Sequence, residues 1–272
     1  MQTGGVNFAP HLTRWKLEAD GEALHTPSSD LLPVKRGRRA AMLKLAHDDE
    51  ERRGNAVMAW WAGRGAAQVY EHDGAALLME RLDVRPSLLD MVAAGQDDEA
   101  TRLLCRAAAR LPRAWPRPEL PTLRRWFCSL EAVAPAAGGV LATALLTAHA
   151  LLDTPQEVGV LHGDIHHQNL LHSSSGGWRF IDPKGLIGER GFDYANILCN
   201  PDLGTATLPG RLARQARIIA ETAQLDPERV LRWALAYAGL SAAWQLEAGE
   251  AELARTTLEV ARIAAAQLGL PG

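Results

Sequence analysis

The sequence predicts an α+β fold in which a small β-rich part precedes a larger helical one. Three observations carry this. The first eighty residues run in short apolar/polar alternations separated by glycine turns. From Ser87 onward apolar residues recur at helical spacing instead. In the second half one stretch, VLHGDIHHQNLLHSSSGGWRFID from Val160 to Asp182, reads as a β-hairpin crowded with polar side chains.

The chain of 272 residues can bury a sizeable core and hold one large domain or two lobes. Hydrophobic residues make up 47% and charged residues 22%, as in an ordinary globular protein. A net charge of −3 offers no general attraction to nucleic acid or to an anionic membrane. Cys105, Cys128 and Cys199 are odd in number and widely spaced, so neither a disulfide framework nor a zinc ribbon fits them. The opening MQTGGVNFAP lacks the pattern of a signal peptide, and the most apolar window, 138–152, is too short to span a bilayer. A cytoplasmic location without membrane partners is expected.

Trp15-Lys16-Leu17-Glu18 alternates like a strand, and Asp20-Gly21 is a turn signal. Strands Leu31–Lys35 and Arg39–Leu45 follow, joined through Arg36-Gly37-Arg38 as a hairpin with a glycine turn. Lys44 is a lone cation among apolar neighbours in Ala-Ala-Met-Leu-Lys-Leu, and a lysine is almost never fully buried unless paired. The acids 48–51 open a helix, where carboxylates cap and stabilise the positive end of the dipole. Val57, Trp60 and Trp61 trace that helix, and Gly63 suits its end. A second hairpin, 66–71 with 75–80, turns at His72-Asp73-Gly74.

Ser87 is placed to cap a helix over 88–94, with Asp90 in the capping-box position. Further helices are expected over 99–111, 122–133 and 140–152. Pro112, Pro116, Pro118 and Pro121 form a semi-rigid connector among them. Trp115, Trp126 and Phe127 have no accompanying basic stripe and read as core rather than as a base-stacking platform. In a helix over 208–225, Arg211, Arg214 and Arg217 look like a solvated face. Asp226-Pro227 starts the next helix, whose buried side is Val230, Trp233, Ala234, Tyr237 and Leu240, and a last helix covers 250–268.

The loop after Leu161 carries the chemistry. Asp164 precedes Asn169 by the interval found in the kinase catalytic loop H-R-D-x-x-x-x-N, and Asp182 ends the following strand. Phosphoryl transfer is mostly positioning and electrostatic stabilisation, so an Asp facing the accepting hydroxyl and hard oxygen donors for Mg²⁺ are the parts required. A carboxylate of pKa about 3.9 is too weak to ionise an alcohol outright. Asp164 is therefore expected to orient the hydroxyl and take its proton late. Two other readings exist. His162, Asp164, His166 and His167 have zinc-ligand chemistry, which would leave Asn169 and Asp182 without a part. Alternatively, the polar side chains only pin a tight loop. For His162 and His166 the loop-stabilising role is expected.

HGDIHHQNLL followed by IDPKG resembles the aminoglycoside phosphotransferase family, whose signature is HGDxHxxNxL. The likeness is nearest to its streptomycin 6-kinase and hydroxyurea kinase branch, which has a similar IDPxGxxGExGF and a late LSAAW, here 240–244. It spans about 31–244. The resemblance implies a bilobal protein-kinase-like α+β fold: a small antiparallel β-sheet N-lobe with one helix (1–80), a hinge (81–86) and a larger, mostly helical C-lobe (87–272). ATP would lie in the cleft, with Lys44 on its α/β-phosphates and Glu51 holding Lys44, Glu50 being the fallback. Ser28 and Ser29 stand where a glycine-rich loop would cover the phosphates, a departure from protein kinases, with an ordinary polar hairpin turn as the equal alternative; Glu80 and Leu82 would meet the adenine edge through their main chain. Asn169 and Asp182 would bind Mg²⁺, and Asp164 would be catalytic. The acceptor would be an aminoglycoside-like small molecule, with Glu189, Asp193 and Glu247 as candidate carboxylates; for Asp193, bracing the loop is the first reading. A kinase of another hydroxyl metabolite or of hydroxyurea, and a nucleotide-binding pseudokinase, are the alternatives.

Overall fold

In the computed structural model the described residues are 7–114 and 119–272, so Trp115, Pro116 and Pro118 of the expected connector lie outside them. Ala9–Trp15 (α1) leads to Glu18–Ala19 (β1), Leu24–His25 (β2), Ser29–Arg36 (β3), Arg39–Ala46 (β4), Asp49–Trp61 (α2), Val69–Asp73 (β5) and Ala76–Glu80 (β6). Leu88–Ala93 (α3), Asp97–Ala108 (α4), Leu123–Trp126 (α5), Cys128–Ala137 (α6) and Gly139–Asp153 (α7) follow. Val158–Leu161 (β7), Leu170–His172 (β8), Trp178–Phe180 (β9) and Leu186–Glu189 (β10) carry the polar loop. Then come Phe192–Ala195 (α8), a 3-10 turn at Asn196–Cys199, Leu203–Ala206 (α9), Arg211–Ala223 (α10), Pro227–Glu247 (α11) and Ala251–Gln267 (α12).

The chain divides into two compact units: residues up to Pro86 with 110–112 and 169–185, and 87–109 with 113–168 and 186–272. In the first, the strands form an antiparallel sheet in the order β1-β3-β4-β6-β5, with β2 also on β3. Side chains alternate across a strand, so Ala41, Leu43, Leu45, Leu32, Val34 and Leu78 enter one core with Trp15 and Leu17. Leu31, Lys44 and Leu77, paired across β3, β4 and β6, take the opposite face. Trp15 belongs to α1 rather than to a strand over 15–18. Pro10 sits in the first turn of α1, and Lys16 closes the helix in the left-handed region at φ 53°.

Helix α2 begins where the acids predict, with the Asp48 carboxylate accepting the Glu51 N–H at 2.8 Å. Gly54 lets this helix touch the segment after Asp182: a Cβ there would lie 2.2 Å from the Pro183 carbonyl oxygen. Relief requires the backbone to move. Gly54→Ala is therefore expected to lower the unfolding free energy by about 1–3 kcal/mol, read from urea denaturation.

In the second unit, Phe127, Phe192, Trp233 and Tyr237 meet largely edge-on in an aromatic core between α6, α8 and α11. Trp126 packs edge-on against Trp244 at 5.6 Å. The helix expected over 122–133 is two, because Phe127 leaves the helical ψ range to bury its ring. Pro209 and Gly210 (φ 75°) likewise delay α10 until Arg211. Arg211 is not on a solvated face. It is buried and makes a bidentate pair with Asp97 on α4, both bonds 2.8 Å, while Arg214 and Arg217 are exposed. Among the described residues, no helix is long and apolar enough to cross a membrane.

Candidate active site

Lys44 occupies the middle of the central strand β4 and is only 4% exposed. Burying an ammonium is costly unless carboxylates and hydrogen bonds satisfy it. Two do so: Glu51, itself 4% exposed on the inner face of α2, and Asp182. Lys184 adds a second cation next to this cluster, 3.3 Å from Glu50 and 3.6 Å from Glu51. Asp182 sits at φ 63°, a conformation that Asp tolerates better than most residues and that often marks functional positions.

Asp182 is held there by its neighbours. Strand β9 is clamped to the chain after α2 through Phe180 N–H to Gly65 O (3.0 Å) and Ala67 N–H to Phe180 O (2.9 Å). Ile181 N–H donates to Asn169 O at 3.0 Å, so the β8–β9 hairpin brings Asn169 and Asp182 to one end.

A cavity of about 200 Å³ opens beside Lys44. Ser28, Ser29, Lys44 and Asp182 form its polar side; Leu31, Met58, Leu77, Met79 and Ile181 form an apolar slot. The Ser-containing turn folds on itself, with Thr26 Oγ1 donating to Ser29 O (2.8 Å) and Ser29 N–H donating to Thr26 Oγ1 (3.0 Å). Beneath it the buried Asp30 accepts from His25 Nδ1 (2.5 Å) and His47 Nε2 (3.0 Å). Burial pushes the Asp30 carboxyl up, but the two imidazole hydrogen bonds outweigh it and leave the pKa below the ordinary value. The Asp30 hydrogen bond raises His47 in turn. Of the residues expected at the hinge, Glu80 uses its N–H on Gln68 O (2.8 Å) and its carboxylate on Ser173, and Asp83 N–H holds His172 O (2.8 Å). Leu82 lies between them, partly buried.

The Asp164 loop belongs to the second unit. His162 Nδ1 accepts the Asp164 N–H (3.2 Å) and His166 Nδ1 accepts the Gln168 N–H (3.3 Å), so each neutral ring carries its proton on Nε2. His166 Nε2 stands 3.8 Å from Asp164 Oδ2. With both Nδ1 atoms committed to the backbone, the zinc reading loses ligands. Burial, with Arg211 next, pushes His167 down to about 4, so that ring stays neutral. Asp193 braces the loop from below, accepting from Gly163 N–H (2.8 Å), His162 N–H (3.3 Å) and Arg113 Nη1 (3.2 Å).

A family model for the aminoglycoside/hydroxyurea antibiotic resistance kinases matches residues 14–249. The chain belongs to that family. The kinase is 49% identical over 240 residues to a streptomycin 3''-kinase of Klebsiella pneumoniae, covering 86% of this chain and 90% of that protein. It is 32% identical over 267 residues to a streptomycin 6-kinase of Streptomyces griseus, covering 91% and 85%. Among solved structures it resembles a thermostable mutant of the aminoglycoside phosphotransferase APH(4)-Ia, with a TM-score of 0.64 at 16% identity, covering 92% and 95% of the two chains. The protein-kinase-like α+β fold is thereby established, and the enzyme is a phosphotransferase that acts on the hydroxyl of a small-molecule acceptor.

Two of the kinase's candidate acceptor carboxylates are occupied internally. Glu189 is 3% exposed and accepts from Arg229 Nε and Nη2 (both 2.6 Å), Trp233 Nε1 (2.7 Å) and Gln156 N–H (2.9 Å). A cationic acceptor would have to displace Arg229, so the expectation that Glu189 faces substrate is corrected to a structural ion pair. Asp193 has no exposed side-chain surface, which leaves the bracing role and removes direct substrate contact. Glu247 is exposed in the last turn of α11. Glu189→Ala would strand Arg229 in its half-buried site. It is expected to cost about 3–5 kcal/mol by urea unfolding, with the KM for the acceptor unchanged in the folded fraction.

Proposed function

We propose that this kinase O-phosphorylates streptomycin, at the 3''-hydroxyl in preference to the 6-hydroxyl. The observation that carries this is the identity of 49% to the Klebsiella pneumoniae streptomycin 3''-kinase against 32% to the Streptomyces griseus streptomycin 6-kinase. The 6-hydroxyl is the second reading, favoured by the 32% identity to the Streptomyces griseus streptomycin 6-kinase.

The nucleotide is assigned to the cavity of the first unit. Its apolar slot suits a purine face, and the main chain at Glu80 and Leu82 is assigned to the adenine edge, with the Glu80 N–H already bonded to Gln68 O. Ser28 and Ser29 cover the phosphates, and Lys44, held by Glu51, pairs with the α/β-phosphates. Asn169 and Asp182 offer an amide and a carboxylate oxygen, the hard donors that Mg²⁺ takes. Mg²⁺, when bound there, neutralises charge on the triphosphate.

Asp164 accepts the hydrogen bond of the attacking hydroxyl and orients it. A bond forms from that oxygen to the γ-phosphorus while the bond from phosphorus to the bridging oxygen breaks, its electron pair leaving on ADP. The hydroxyl proton passes late to Asp164. A guanidinium-bearing acceptor is recognised by carboxylate through charge-assisted hydrogen bonds, and Glu247 is the exposed acid assigned to it. A coupled ADP-release assay over streptomycin, other aminoglycosides and hydroxyurea tests the reading. Acceptor-dependent release with streptomycin is expected. Release only with hydroxyurea overturns the substrate, and nucleotide binding without ADP release on any acceptor favours the pseudokinase.

A further inference from the structure

The Asp164 carboxylate is gripped by an amide from a distant part of its own unit. Asn196 Nδ2 donates to Asp164 Oδ1 at 2.8 Å, and Asn196 is only 7% exposed. Asn200 Nδ2 in turn donates to Asn196 Oδ1 (2.8 Å) and to Asn196 O (2.9 Å). An amide oxygen already taken by a donor fixes the sense of the group, because the NH₂ must then point the other way. The same turn carries Asp193, three residues earlier, which holds the backbone of His162 and Gly163. One short segment, Phe192–Asn200, thus braces the catalytic loop twice: Asp193 sets its backbone and Asn196 sets its carboxylate.

We propose that Asn196, oriented by Asn200, is a positioning residue for phosphoryl transfer, fixing Asp164 Oδ1 so that Oδ2 receives the hydroxyl proton. This rests on the catalytic role assigned to Asp164. The titratable groups facing that carboxylate are His166, at 3.8 Å, His162, on its backbone N–H, and the buried Tyr237 of α11, whose hydroxyl is raised well above its ordinary value by burial and then by the charge of Asp164. None of them replaces the Asn196 donor at Oδ1.

The test is the pH profile of kcat together with a mutant cycle, on full-length enzyme shown to be folded by its thermal transition. Asn196→Asp sets a second carboxylate against the first, which disfavours ionisation. The acidic limb should move up by about one pH unit or more. Asn196→Ala removes a hydrogen bond to the charged form, so the limb moves in the same direction, and kcat falls about 10- to 100-fold with KM for ATP unchanged. Should Asn196→Asp fail to fold, the Ala variant decides. In an Asp164→Asn background Asn196→Ala should cost nothing further, since residues acting as a unit are not additive. An unmoved limb, or an undiminished loss in that background, overturns the role of Asn196 while Asp164 keeps its own. Wild-type turnover in Asp164→Asn alone overturns both.

Discussion

Asp164→Asn is expected to lower kcat by about 100- to 10,000-fold, with nucleotide affinity retained. The substitution keeps the shape of the side chain and removes the charge proposed to accept the hydroxyl proton. Binding should survive because the cavity assigned to the nucleotide is built by residues of the first unit, whereas Asp164 lies in the second. Nucleotide titration followed by fluorescence checks the affinity, and the ADP-release rate with saturating acceptor checks kcat. Unchanged turnover removes Asp164 from the chemistry. Lost nucleotide binding with a native thermal transition would show that Asp164 serves the donor instead.

Lys44→Met should damage both stability and activity. It deletes the cation shared by Glu51 and Asp182 and leaves Glu51, 4% exposed, beside methionine. Removing one partner of a buried pair costs about 3–5 kcal/mol, because the surviving charge stays desolvated. Lys184, 3.6 Å from Glu51, offsets part of this. Turnover should fall with a raised KM for ATP, since the lysine proposed to pair with the α/β-phosphates is gone. Lys44→Met combined with Glu51→Gln isolates the cause. The double variant should be more stable than Lys44→Met alone, because no bare carboxylate remains, while its activity stays low. A double variant less stable than the single one contradicts the buried-pair account.

The parts legible in the sequence are those where residue type and spacing express local chemistry. The Asp164 to Asn169 interval, the hairpin ending at Asp182 and the capped start of α2 are all written in contiguous residues. The lone lysine in an apolar strand was legible because burial demands a partner. The partners of other buried charges were not. Arg211, Arg214 and Arg217 recur at helical spacing and look alike, yet Arg211 is the buried one of the three, bidentate to Asp97, 114 residues away. Glu189 stands between Gly188 and Arg190 in the sequence, and its burial depends on Arg229 and Trp233 of a helix 40 residues on. The Asp30 clamp by His25 and His47, and the Asn196 hydrogen bond to Asp164, are likewise tertiary pairings. Periodicity reports which face of an element is apolar, but it carries no record of which polar group waits opposite.

The most direct measurement is the fate of the γ-phosphoryl group when the enzyme, ATP, Mg²⁺ and streptomycin are mixed and the antibiotic is recovered for mass spectrometry and phosphorus NMR. The account predicts streptomycin carrying one phosphoryl ester on a ring hydroxyl, formed in step with ADP and slowed about 100-fold or more in Asp164→Asn. ADP appearing with inorganic phosphate while streptomycin and every other offered alcohol come back unmodified would contradict it.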